Sequence, residues 1–268
     1  MSNLIHQMVN NCNEILDTNN KNNKEIIIDT WPMMYSPGPI LCIVGCYLAF
    51  VLKVGPKMME KRSPFQLNFL LLAYNMIQVI FNIWLSLKAL EPSVVSILLL
   101  PKCQNPTSLN LNTKNTISSA AWWYFIAKIM DLLDTVFFIL RKKQNQVTFL
   151  HVYHHTITSI CSWLYVKFLP GQQGAVIIFL NSLVHVIMYT YYLISALGPK
   201  YKKYLWWKKY MTWIQLVQFF ILLAYELTIL VLGCKVPKAL SCFVLTNLVI
   251  FIYLFSDFYR KAYAKQKV

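Results

Sequence analysis

Apolar residues recur along this chain in runs near the ~20 residues a helix needs to cross a hydrocarbon core, with polar stretches between them. Seven such runs fall near Pro37–Val54, Phe65–Leu87, Ile117–Leu140, Val147–Val166, Ala175–Leu197, Met211–Leu232 and Ala239–Phe258. The pattern predicts an all-α polytopic membrane protein with seven transmembrane helices. No Gly- or Ser-rich linker and no close internal repeat divides residues 31–258, so they read as one domain. Residues 1–30 are rich in Asn and lack the basic and apolar regions of a cleaved signal peptide; they read as a polar, disordered, non-cytosolic tail. Residues 259–268 read as a basic cytosolic tail. After the second run, Ser93–Leu100 is apolar but too short to span, and Pro92 and Pro101 bound it. It reads as an interfacial or re-entrant segment.

Composition agrees with the membrane class: 57% of the 268 residues are hydrophobic, 15% are aromatic, and the mean hydropathy is +0.47. The formal charge of +15 first suggests nucleic acid. The basic residues segregate by loop instead, so no nucleic-acid partner is expected and membrane lipid is. Sixteen of them follow the odd-numbered spans: Lys53, Lys57, Lys61 and Arg62; then Arg141, Lys142 and Lys143; then Lys200, Lys202, Lys203, Lys208 and Lys209; then Arg260, Lys261, Lys265 and Lys267. Eight lie on the other side. Positive-inside bias places the C-terminus in the cytosol and the N-terminus outside it.

Of the cysteines, Cys42, Cys46, Cys161 and Cys242 fall within spans and read as packed, reduced thiols. Cys12, Cys103 and Cys234 fall on the non-cytosolic side, where oxidation is allowed, and Cys103 and Cys234, in loops after the second and sixth spans, are expected to pair. No Cys-x-x-Cys pair suggests zinc, and no metal is expected.

Ionisable groups at membrane depth are costly, roughly 2.5–3.5 kcal/mol each on insertion scales, and mark function by default. Here they cluster. The third span carries Lys128, Asp131 and Asp134 in K-I-M-D-L-L-D-T, with Lys128, Asp131 and Thr135 on one helical face and Asp134 to one side. A self-neutralising Lys–Asp pair that only fixes packing explains this cluster equally well. The fourth span carries His151, His154 and His155 in H-V-Y-H-H, three imidazoles over one turn. The fifth adds Asn181, His185, Tyr189, Tyr191 and Tyr192, and the sixth adds Thr212, Gln215 and Gln218, with Glu226 two turns beyond. Interhelical hydrogen bonding is the plainer account of the glutamines.

At these residues the sequence resembles the membrane elongases of very long chain fatty acids. These carry K-x-x-E-x-x-D-T, H-x-x-H-H, N-x-x-x-H-x-x-M-Y-x-Y-Y and T-x-x-Q-x-x-Q in this order, and the last three are matched without exception across residues 151–218. Two departures stand out: Asp131 occupies the position of Glu, and Gln266 replaces the lysine of a dilysine retrieval signal. The resemblance implies a fold in which six helices enclose an acyl tunnel and the first packs outside. It also implies residence in the endoplasmic reticulum and condensation of acyl-CoA with malonyl-CoA to a 3-ketoacyl-CoA two carbons longer. It implies no cofactor beyond those substrates. Separate reductases and a dehydratase would complete the cycle and are the expected protein partners, with a homo-oligomer left open.

The resemblance further points to His154 as a nucleophile forming an acyl-imidazole, with His185 facing it. Neutral imidazole, with an unperturbed pKa of ~6.5, is nucleophilic without a deprotonated hydroxyl or thiol. His151, His155, Asp131, Asp134 and Asn181 would set tautomers and polarise the thioester or enolate oxygen. Lys128, Arg141, Lys142, Lys143, Tyr189, Tyr192, Lys203, Gln215 and Gln218 are the candidate substrate contacts, positive-inside topology being the alternative account of the loop cations. A membrane desaturase or hydroxylase with a histidine-rich di-iron site is a weaker reading, since four membrane histidines are few for two irons and Lys128 would repel metal. A seven-span receptor would leave the converging ionisable groups unexplained.

Overall fold

The computed structural model describes residues 28–92, 94–95, 111–168, 172–234, 236 and 238–264. Seven long helices make up this part of the chain: α1 (Gly38–Met59), α2 (Asn68–Ala89), α3 (Leu111–Leu140), α4 (Phe149–Phe168), α5 (Gln172–Ala196), α6 (Lys208–Val231) and α7 (Lys238–Tyr259). There is no strand among the described residues. Each expected span corresponds to one of these helices. Most of the Ser93–Leu100 segment and of the N-terminal tail lies outside the described residues.

Five of the seven, α1, α2, α5, α6 and α7, are long and apolar enough to cross a membrane by length and composition. The two that fall short, α3 and α4, carry the Lys–Asp cluster and the three histidines, which lower their hydropathy. The fold answers that polarity by burying it. On α2, Asn75, Gln78, Asn82 and Ser86 form a buried stripe, while Met76, Ile77, Ile80, Ile83 and Leu87 are exposed. Polar side in and apolar side out inverts the pattern of a water-soluble helix and suits a lipid surround. Asn82 and Ser86 satisfy donors within the helix, to Gln78 O at 2.8 Å and Asn82 O at 2.9 Å.

Helix α1 continues past Val54, where the apolar run ends in sequence, through a π turn at Phe50–Val54. Pro56 has no N–H to give the helix, and the widened turn absorbs the defect by letting the Gly55 N–H reach Phe50 O. Gly55 is required by close approach: a Cβ there would lie 2.9 Å from Ile139 Cγ2 and 2.8 Å from Phe50 O. Helix α1 packs on α3 and α4, α2 along α5, and α6 along α7.

The segment before α1 is tied to one end of the bundle. Trp163 Nε1 donates to Met33 O at 2.8 Å, Trp122 Nε1 to Pro32 O at 3.1 Å, and Lys167 pairs with Asp29. Ile28 and Met34 are buried beside Phe125, Trp163 and Ile178. At the opposite end α3 closes with Lys142 at φ 56, a left-handed capping position, and Lys143 N–H reaches Phe138 O at 2.8 Å.

Candidate functional site

The i, i+3 spacing of Lys128 and Asp131 becomes a real pair: Lys128 Nζ donates to Asp131 Oδ2 at 3.0 Å, with the two side chains only 1% and 2% exposed. The same ammonium lies 3.2 Å from His185 Nε2 on α5 and 4.8 Å from the centroid of the Tyr124 ring. His185 Nδ1 is 3.6 Å from Asp131 Oδ2, beyond hydrogen-bond distance, and has no partner among the described residues. Tyr189 Oη sits between both carboxyls, 2.9 Å from Asp131 and 2.8 Å from Asp134. A phenol has one proton to donate, so Tyr189 is shared between the two carboxyls.

Helix α2 completes the cluster: Gln78 Nε2 lies 3.0 Å from both Asp131 Oδ1 and Tyr74 Oη. Sequence reasoning missed Gln78 and Tyr74, although the polar stripe on the second span was available as a signal.

The three histidines of α4 are separated by the directions they face. His151 Nε2 is 3.0 Å from Thr135 Oγ1, which is 2.9 Å from Tyr47 Oη on α1. His155 is buried behind it, the two rings 4.2 Å apart, and its Nδ1 is unpaired among the described residues. His154 instead turns toward α6 and α7, its ring 5.0 Å from that of Phe251 and 5.9 Å from that of Phe255.

It thereby lines a cavity between α3, α4, α5, α6 and α7 that holds about 850 Å³, part of it open to the outside. Tyr124, Asn181, Gln218 and Asn247 line it beside His154, as does Cys161 deeper along α4. Asn181 accepts from Tyr124 Oη at 3.0 Å, and Asn247 accepts from Tyr153 Oη at 2.8 Å. Tyr124, Tyr153 and Asn247 were not singled out in the sequence; only Asn247, a lone amide in the seventh apolar run, could have been.

Helices α1 and α2 contribute no lining residue to this cavity, and neither do His185, Lys128, Tyr189, Tyr192 or Gln215. Tyr192 packs its ring 5.9 Å from that of Tyr189, and Gln215 Nε2 contacts Met188 Sδ at 3.8 Å. Arg141, Lys142 and Lys143 sit in the α3–α4 loop and Lys203 in the α5–α6 connection, at the end of the bundle nearer His154. Lys142 donates to Glu60 O at 3.1 Å, and Lys203 lies over the Tyr204 ring. Cys42, Cys46, Cys161 and Cys242 are free thiols; Cys234 is disulfide-bonded, and Cys103 lies outside the described residues. Among the described residues no three His, Cys, Asp or Glu side chains converge as metal ligands.

A family model described as the GNS1/SUR4 family, ELO, matches residues 32–268. The chain belongs to the ELO family. Three relatives of this ELO chain agree. The very long chain fatty acid elongase 4 of Homo sapiens is 41% identical over 243 residues, which cover 90% of this chain and 76% of that protein. A very long chain fatty acid elongase of Aedes aegypti is 39% identical over 237 residues, 88% of this chain and 66% of its own length. The very long chain fatty acid elongase 7 of Drosophila melanogaster is 39% identical over 238 residues, 88% and 72% respectively.

Proposed function

We propose that this ELO-family chain elongates long fatty acyl groups by condensing an acyl-CoA with malonyl-CoA, with His154 as the acyl acceptor. Membership of the family supports the reaction class, and one observation carries the assignment of the nucleophile: of the four intramembrane histidines, only His154 lines the cavity. In this reading the His154 nitrogen attacks the thioester carbonyl, the C–S bond breaks, and the imidazole proton leaves on CoA thiol. Malonyl-CoA then loses carbon dioxide, and the resulting enolate carbon attacks the acyl-imidazole carbonyl. The C–N bond breaks, a proton from the medium restores the imidazole, and a 3-ketoacyl-CoA two carbons longer is released.

In this reading the amide groups of Asn181 and Asn247, each held by a tyrosine, polarise the thioester or enolate oxygen. His151, His155, His185, Asp131 and Asp134 hold the α3–α5 frame behind His154 rather than meeting the acyl chain. All seven helices cross the membrane in this reading, α3 and α4 shielded by the others, and α2 closes the outside of the chamber that α3 to α7 line. The N-terminus is lumenal, the C-terminus cytosolic, the location the endoplasmic reticulum, and Arg141, Lys142, Lys143 and Lys203 meet CoA phosphates. The partners are the reductases and dehydratase of the cycle and, for a homo-oligomer, a second copy; no cofactor or metal takes part.

The test is incubation of the full-length protein with acyl-CoA alone. Free CoA and an acyl adduct mapped to His154 are expected, with condensation abolished by His154→Ala and retained by Cys161→Ser. Cys161 shares the cavity, so an adduct mapped there, or CoA release that strictly requires malonyl-CoA, would overturn the assignment.

A further inference from the structure

Among the polar groups lining the cavity, Tyr124 and Asn181 pair with each other along the α3–α5 wall, and the others fall at two ends. At one are His154, Asn247 and Gln218. At the other are Tyr165 and Glu226, near the last turns of α4 and α6. Residues 154 and 165 of α4 are separated by ~16 Å of helix rise. The wall between is apolar, with Ile177, Leu222 and Leu248 among its residues. The hydroxyls along it are already engaged within α4: Thr158 Oγ1 donates to His154 O at 2.7 Å and Ser162 Oγ to Ser159 O at 2.9 Å.

Glu226 differs from every other carboxylate at this depth. It is 7% exposed, faces the cavity, and makes no hydrogen bond or ion pair among the described residues. A polar residue retained to join helices would reach a neighbouring helix, and Glu226 hydrogen-bonds to none among the described residues. Tyr165 Oη is buried in the same end beside the Gly174 backbone and meets no side-chain hydrogen-bond partner among the described residues. Gly174 is the seat of that ring: a Cβ there would overlap Tyr165 Cε1, so only glycine lets the phenol lie against α5 with its oxygen at the cavity end. Gln218 also lacks a hydrogen-bond partner among the described residues, but its neighbour Phe219 has its ring 6.4 Å from that of His154, which places Gln218 at the reacting end.

A methyl-terminated chain filling this cavity would strip Glu226 and Tyr165 of water and return no hydrogen bond. A chain ending in a hydroxyl would satisfy both, since a hydroxyl donates once and accepts twice. Sites with buried polar groups discriminate in this direction, because the analogue lacking the hydroxyl leaves them unpaired.

We propose that Glu226 and Tyr165 form a polar seat for the far terminus of the acyl chain, and that the seat takes a terminal hydroxyl. The inference rests on the reading of the cavity as the acyl chamber. Full-length protein in membranes, supplied with labelled malonyl-CoA and acyl-CoAs of graded length, each as a methyl-terminated and a terminally hydroxylated member, tests it. The hydroxyl-to-methyl ratio of kcat/KM should be near one for chains too short to reach the seat. It should rise by about tenfold, the worth of one neutral hydrogen bond, over the lengths that reach it. Glu226→Leu and Tyr165→Phe should each lower that maximum toward one, and Glu226→Gln should keep part of it.

The wild-type length series needs no variant to fold. A ratio near one at every length would overturn the proposal, as would a maximum that Glu226→Leu leaves in place. A protein that elongates no acyl-CoA would overturn the parent reading and this one with it. Elongation of methyl-terminated chains without preference would overturn only the seat.

Discussion

Replacing Lys128 with Met removes the one cation facing Asp131 while keeping most of the side-chain volume. The pair is 3.0 Å apart and almost wholly enclosed. At an effective dielectric of ~20 its Coulomb attraction is about 5 kcal/mol, and breaking a buried pair from one side costs about 3–5 kcal/mol, because the remaining charge stays desolvated. His185 Nε2 and the Tyr124 ring lose the same ammonium. Lys128→Met is therefore expected to lower Tm by roughly 10 °C, at the few degrees per kcal/mol typical of a chain this long. Tryptophan fluorescence of the purified, detergent-solubilised protein during heating measures it. Lys128→Met with Asp131→Asn removes both charges and keeps the acceptor for Gln78 and Tyr189, so it should recover more than half of the loss, a coupling that a double-mutant cycle isolates. A Lys128→Met protein that melts with the wild type, or a double variant no more stable than the single, would refute the account of the cluster as one interdependent charge set.

The remaining predictions concern other parts of the molecule. Gly55→Ala should cost about 1–3 kcal/mol by overpacking, because the new methyl meets both Ile139 and the Phe50 carbonyl, whereas Gly45→Ala, with nothing within 4 Å, should be neutral or stabilising in the same melting assay. Condensation should survive exhaustive chelation; loss on chelation, restored by one stoichiometric metal, would sink the imidazole mechanism. Mass mapping without reduction should recover Cys103 linked to Cys234, and finding both alkylated would reject that pairing and weaken the assigned orientation.

Periodicity is a local property, and what it determines is legible in the chain itself: the helical class, the placement of each long helix, the Lys128–Asp131 pair at i, i+3, and three histidines on one turn of α4. The family followed from four short motifs that the same helices carry. Which face of each helix meets which neighbour is not local, because it depends on how side chains from distant segments interdigitate. His151, His154 and His155 share one turn in the sequence, yet packing sets His151 against Thr135 of α3, buries His155 behind it and turns His154 into the cavity. His185, expected opposite His154, also meets the Lys128 ammonium, because α5 presents it to α3. The contacts of Gln78 and Tyr189 with Asp131, and of Tyr153 with Asn247, join residues more than fifty positions apart. No spacing rule reaches that far. The surroundings of Glu226 were equally invisible in the sequence, where a glutamate in an apolar run reads the same whether or not a neighbouring helix offers it a partner; only the assembled bundle turns it into the cavity beside Tyr165, with no hydrogen-bond or ion-pair partner among the described residues.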